Sequence, residues 1–279
     1  MAAFEKTLLE GIRSFNETLA DSDRIHFVGF DMNHWTGIFP TYLRLFQERF
    51  GRVPQLDPLL GAIPDSTDYG AALAALPAAL AADQTSIAAN IGGARYSQLL
   101  DLVDVEVRSL PLRRSPDNDA REQIIKERVL KAIGDAGGAR IAINCGMYHA
   151  QKEKYMGPTA EFVGTWLANH PEAYGGDVSK LRSIAFVGAK GERKTNFNDR
   201  STWTVDITQE GAENDLTRIL AKQADPRYAS LPLTDPVFAG ELIEVDFGKD
   251  VRTTRPGRQF DSIVLYPRVT VLSSLSLLE

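Results

Sequence analysis

The stretch ARIAINCGMYH, residues 139–149, decides how this chain is read. Ile141 and Ile143 alternate with small residues between Gly137-Gly138 and Gly146, a pattern that predicts a short buried strand. The strand delivers a histidine. Gly146 permits a tight or left-handed turn, and Gly157-Pro158 then opens a helix on which Phe162, Val163, Trp166 and Leu167 recur at helical spacing. Ligands of open α/β sheets lie beyond the carboxyl ends of the strands, where this reading puts Cys145, Tyr148 and His149.

Outward from there, the same grammar repeats. Phe4, Leu8, Leu9, Ile12, Phe15 and Leu19 form one apolar helical face, and RIHFVGF (24–30) follows as a second strand that releases Asp31, Met32, Asn33, His34 and Trp35 into a loop. If both strands are parallel, Asp31 and His149 share one side of the sheet. Residues from about 40 to 133 read as a helical insertion. Within it, Pro77 interrupts an alanine-rich run carrying Leu73, Leu76 and Leu80, so two short helices or a kink are expected. Asp119 and Glu122 have capping-box spacing ahead of Ile124, Ile125, Val129, Leu130 and Ile133. Residues 181–189, 201–207, 241–247 and 261–269 are strand-like, while 190–200 and 225–236 read as loops. The expected fold is a single α/β domain over 1–279, in three layers, with a mostly parallel central sheet and later antiparallel edge strands.

Composition bounds the function. A chain of 279 residues can bury about 75% of its extended surface and needs no staples. Its 31 basic and 37 acidic residues give a net charge of −6 without a basic tract, which argues against nucleic acid. Cys145 stands alone, so no internal disulfide or cysteine-rich zinc site forms. No run approaches the roughly 18 apolar residues of a membrane span, and the N-terminus has no leader-like apolar core. The chain is expected to be soluble and cytoplasmic, to act on a small molecule, and to be silent on its oligomeric state.

Chemistry-bearing patterns are few. GAKGERKT (188–195) ends in Lys-Thr, yet its second glycine is misplaced for a phosphate loop. No Gly-x-Ser-x-Gly elbow occurs. Cys145, four residues before His149, has thiol-and-base spacing but also suits a small buried hydrophobe. Asp31, His34 and His149 offer two imidazoles and a carboxylate without the spacing of a metal signature. His149 is the best-placed imidazole, able to accept a proton near neutral pH.

Taken in order, FNETLADSDRIHFVGFDMNHW, DAREQIIKERVL, RIAINCGMYHAQKEKYMG and FDSIVLYPRVT resemble the erythromycin-esterase-like family, related in fold to ChaN-like haem-binding and TraB/Tiki proteins. The matching positions are Asn16, Gly29-Phe30-Asp31, Arg121-Glu122 and Gly146-Met147-Tyr148-His149. Gly146 stands where the family has the first histidine of its His-Asn-x-His segment. The resemblance implies hydrolysis of an ester or lactone by activated water. His149 would move the proton, Arg121 would stabilise negative charge and Asp31 would orient a partner, with Tyr148, Gly146 and His34 near the ligand. The family's Gly-Glu-x-x-His-Gly segment is missing, so a truncated or impaired enzyme is expected. A haem-, metal- or small-ligand-binding module of the same fold is the alternative; the cofactor is not readable.

Overall fold

In a computed structural model, residues 3–20, 23–26, 28–32, 34, 37–154, 159–194, 202–206, 215–223, 228–246 and 251–268 are described. Asn33, Trp35, Gly157 and Pro158 lie outside them; residues 159–162 are not helical, so the helix expected to open at Gly157-Pro158 begins instead at Val163, with Phe162 as its extended N-cap. The chain divides into two compact units: Met1–Val28 with Ile141–Glu279, and Gly29–Arg140. The whole is a helix-rich α/β chain with a small mixed sheet.

The first unit opens with α1 (Ala3–Asn16). Asn16 ends it and turns its side-chain amide onto the backbone of Ile25, donating Nδ2 to the carbonyl at 2.8 Å and accepting the Ile25 N–H at 2.8 Å. That clamp explains a departure from the sequence reading: Arg24–His26 and Val28–Phe30 are not strand. A strand edge needs a neighbouring ladder, and at Ile25 a side chain supplies both hydrogen bonds instead.

The Gly29–Arg140 unit is helical: α2 (Ile38–Phe50), α3 (Asp57–Gly61), α4 (Thr67–Ala82), α5 (Gln84–Ile91), α6 (Gly93–Arg114) and α7 (Asn118–Asp135). Leu43, Leu56, Leu80 and Leu99, all fully buried, centre its core. Pro77 does not split the stretch into two short helices: α4 is one helix that runs through it. A mid-helix proline costs about 3 kcal/mol, whereas Leu73, Leu76 and Leu80 are each buried and contribute about 1.5–3 kcal/mol apiece. Packing wins. The cap of α7 also differs: the Asp117 carboxylate accepts the N–H groups of Asp119 and Ala120 at 2.9 and 3.1 Å, so Asp119 lies inside the helix rather than capping it.

The first unit resumes at Ile141. Residues 139–146 carry no strand, and Ile141 is 41% exposed. Its alternation with small residues fits a pleat, but no strand pairs with it among the described residues. After α8 (Met147–Ala150) and α9 (Val163–Asn169) come β1 (Ile184–Gly188), β2 (Lys190–Lys194), β3 (Thr202–Asp206), α10 (Leu216–Gln223), β4 (Ala229–Pro232), α11 (Pro236–Gly240), β5 (Ile243–Asp246), β6 (Val251–Thr254), α12 (Pro256–Gln259) and β7 (Ser262–Tyr266). The main sheet has the order β1-β7-β4, with β1 parallel and β4 antiparallel to β7. β2–β3 and β5–β6 are separate antiparallel pairs. Inward residues Ala185, Val187, Ile263 and Leu265 meet Val245 and Phe260 in the core of this unit. No single helix among the described residues is long and apolar enough to cross a membrane.

Candidate functional site

Each unit holds one group of the residues singled out by sequence. In the helical unit, Asp31 follows the irregular Val28–Phe30 segment, and Arg121 stands on the first turns of α7. The guanidinium meets the carboxylate as a fork: Nε donates to Oδ1 at 2.9 Å and Nη2 donates to Oδ2. Bidentate geometry of this kind fixes orientation as well as distance. Oδ1 also accepts the Met32 N–H at 2.7 Å, and the His34 Nε2 stands 3.3 Å from Oδ2. Burial alone would raise the Asp31 pKa; the hydrogen bonds from Arg121 and His34, with the charge of Arg121, outweigh it and hold the carboxyl far below the usual range. Asp31 is therefore a permanent anion at neutral pH and a poor proton acceptor. Arg121 is held protonated, chiefly by the hydrogen bonds of this pair.

Sequence reasoning missed Arg128. It lies seven residues beyond Arg121 on the same face of α7, and its Nε donates to the Gly29 carbonyl at 3.0 Å. The i, i+7 spacing of two arginines was the available signal. Together they grip both ends of Gly29-Phe30-Asp31.

In the other unit, α8 places Met147 and Ala150 against the sheet core. With those two residues turned inward, Tyr148 and His149 point elsewhere, both against Phe162, which is buried just before α9. The His149 ring lies edge-on to Phe162, with centroids 5.0 Å apart and planes at 84°, and the Tyr148 ring is 5.9 Å away. Gly146 caps α8 with φ −62°, a backbone any residue adopts, and its carbonyl accepts the His149 N–H at 2.9 Å, so of the two turns the glycine permits, the tight one forms and the left-handed one does not. The glycine that matters is Gly164 on α9: a Cβ there would lie 2.5 Å from the His149 carbonyl oxygen and 2.9 Å from that of Gln151. Only a bare Cα lets α9 pack this tightly on α8. The bond from Thr165 Oγ1 to the Gln151 carbonyl, 3.0 Å, closes the same contact.

The remaining patterns resolve simply. GAKGERKT does not make a phosphate loop, because Lys190–Lys194 is a strand paired with Thr202–Asp206 where that motif requires a loop entering a helix. His170 stacks on Trp166 at 4.7 Å and its Nδ1 is 2.8 Å from Glu172. No group of three or more potential metal ligands occurs among the described residues.

No protein-family model matches the sequence, and no curated protein does. Solved structures do share its fold. A succinoglycan biosynthesis protein superimposes with TM-score 0.60 at 12% identity, over 96% of this chain and 71% of that one. A Bacillus cereus protein gives 0.60 at 13%, over 96% and 72%. The erythromycin esterase EreC, solved as a His-to-Asn mutant in its open conformation, gives 0.58 at 14%, over 98% and 75%. Identities this low establish a relationship of fold.

Proposed function

We propose that the chain is an erythromycin-esterase-like hydrolase that cleaves an ester or lactone of a small molecule by activated water, at low turnover. The observation that carries this is the Asp31–Arg121 fork, which joins two segments marked by the family resemblance in a chain whose fold is shared with EreC. His149 takes the proton from water. Arg121, held by Nε and Nη2, keeps Nη1 for developing negative charge, and Asp31 acts by orienting it. Tyr148 and Gly146 beside His149, and His34 beside Asp31, are assigned to ligand contact. In this reading the protein works in the cytoplasm as one three-layer domain, with the helices from Ile38 to Asp135 inserted into it.

Low turnover follows from the state of Asp31. Fixed as an anion by Arg121, it is a poor second base, so proton transfer rests on His149 alone. That same fact supports a second reading, in which Tyr148 and His149 hold a small ligand without hydrolysing it. Turnover of erythromycin and of an aryl ester by the purified chain and its His149→Ala variant tests both. Loss of a general base lowers the rate by about 10²–10⁴. Measurable turnover that His149→Ala leaves intact rejects the role of His149, and binding without turnover by the unaltered chain selects the second reading.

A further inference from the structure

A cleft of about 480 Å³ in the sheet-bearing unit is lined by Lys152, Glu153, Lys154, Thr165, Gly257 and Arg258, among others. We infer that it binds an oxyanion, the carboxylate or phosphate group of a small molecule. This inference is independent of the hydrolase reading. The cleft has three walls: the segment after α8, α9, and α12. Each is bonded to the next. The Lys152 N–H donates to the Gln259 carbonyl at 2.9 Å, and Thr165 Oγ1 bonds the Gln151 carbonyl at 3.0 Å. Gly257 packs so closely that a Cβ would lie 2.9 Å from the Leu233 carbonyl oxygen, which fixes the base of Arg258. The walls are therefore set before any ligand arrives, which lowers the entropic cost of binding.

Charge selects the ligand class. Lys152 is already matched by Asp261, Nζ to Oδ1 at 2.9 Å. Lys154 Nζ donates once, to the Ala160 carbonyl at 3.0 Å, and keeps its other donors. Arg258, which lines the cleft, is held through Nε to the Ala239 carbonyl at 2.9 Å, and Nη1 and Nη2 are left for a ligand. Against them stands one carboxylate, Glu153, whose Oε2 is 3.8 Å from Arg258 Nη1, beyond hydrogen-bond range. A fixed guanidinium fork beside an ammonium suits a planar carboxylate or a phosphate, and Glu153 is a competitor that an incoming anion displaces.

The test uses the full chain with inorganic phosphate and acetate as probes, at ionic strength held constant with chloride, read by calorimetry and thermal shift. One or both probes bind the unaltered chain. Arg258→Gln weakens that binding about three- to tenfold, because a charge-assisted fork is lost from a half-exposed site. Glu153→Gln strengthens it about two- to fivefold by removing the competing charge. Phosphate and acetate separate the two ligand sources. Neither probe binding, or affinities unchanged in both variants, overturns the inference. Both positions are about half exposed, so both variants fold, and their melting curves without probe verify this.

Discussion

Asp31 and Arg121, 90 residues apart in sequence, form a bidentate ion pair at the start of α7. Two turns further on, Arg128 holds the Gly29 carbonyl, so one helix fixes the segment that carries Asp31 at both ends. A lysine in place of Arg121 keeps the charge and loses the fork.

That difference is measurable as acid sensitivity. The Asp31 carboxyl is depressed in the folded chain, so its contribution is present above the unfolded carboxylate value of about 3.9 and is lost as pH falls toward the folded value. The side chains are 32% and 27% exposed, so breaking the pair costs about 1–3 kcal/mol at pH 7, less than for a fully buried pair. Urea midpoints at pH 7, 5, 4 and 3 should fall less steeply for Asp31→Asn than for the unaltered chain. Parallel pH curves would remove the linkage.

A deeper pair lies within the helical unit. Arg113 and Glu106 are 7% and 2% exposed and 2.7 Å apart, Tyr69 donates its hydroxyl to Glu106 at 2.8 Å, and Arg113 also meets Asp65 at 2.9 Å. Burial, then the Glu106 hydrogen bond, pushes the Tyr69 pKa up, so it remains a donor at any working pH. Arg113→Met strands a buried carboxylate and should cost about 3–5 kcal/mol. Adding Glu106→Gln should restore part of it, and chemical denaturation of the two variants decides: a double variant no more stable than the single one contradicts this account.

Pro77 yields a prediction of opposite sign. It is exposed while its neighbours Leu76 and Leu80 are buried, so the α4 core face survives its replacement. Pro77→Ala regains a helix hydrogen bond but loosens the unfolded chain, for a net gain of about 1–2 kcal/mol. A lowered melting temperature would mean that the ring makes contacts that matter to packing.

Legibility followed the source of each stabilising contact. The helical region was readable because Leu73, Leu76, Leu80, Ile124, Ile125 and Val129 advertise their faces by local period, and β1 and β7 because each is an apolar run. β2, KGERK, was hidden: a hairpin ladder uses backbone groups and leaves no apolar signature. β4 escaped because Pro232 ends a strand at the sheet edge, where a missing N–H is harmless. The strands expected at 24–30 and 139–146 failed for a reason no periodicity carries, since pairing is a long-range matter and Asn16 answers Ile25 from the end of α1. Asp31 and Arg121 were each marked by resemblance. Their meeting was invisible, because spacing along a chain does not encode contact across 90 residues.

Two glycines near His149 give the sharpest contrast between pattern and packing. Gly146 interrupts the organising stretch, yet its φ is ordinary and a Cβ would meet only the edge of the His149 ring, Cδ2, at 3.7 Å, a normal van der Waals separation. Gly146→Ala should therefore change stability by no more than about 0.5 kcal/mol. Gly164 draws no attention in the sequence, but its Cβ would lie 2.5 Å from the His149 carbonyl oxygen, where backbone rather than a pliable side chain must yield. Gly164→Ala should cost about 1–3 kcal/mol or more through overpacking, and should push α8 away from α9. The shift would take the His149 ring off Phe162, so the ring's NMR resonances should move in Gly164→Ala. Those resonances and thermal unfolding of both variants check the order. Equal tolerance at the two positions would show that the α8–α9 contact relaxes freely, and His149 would then owe its placement to something other than Gly164.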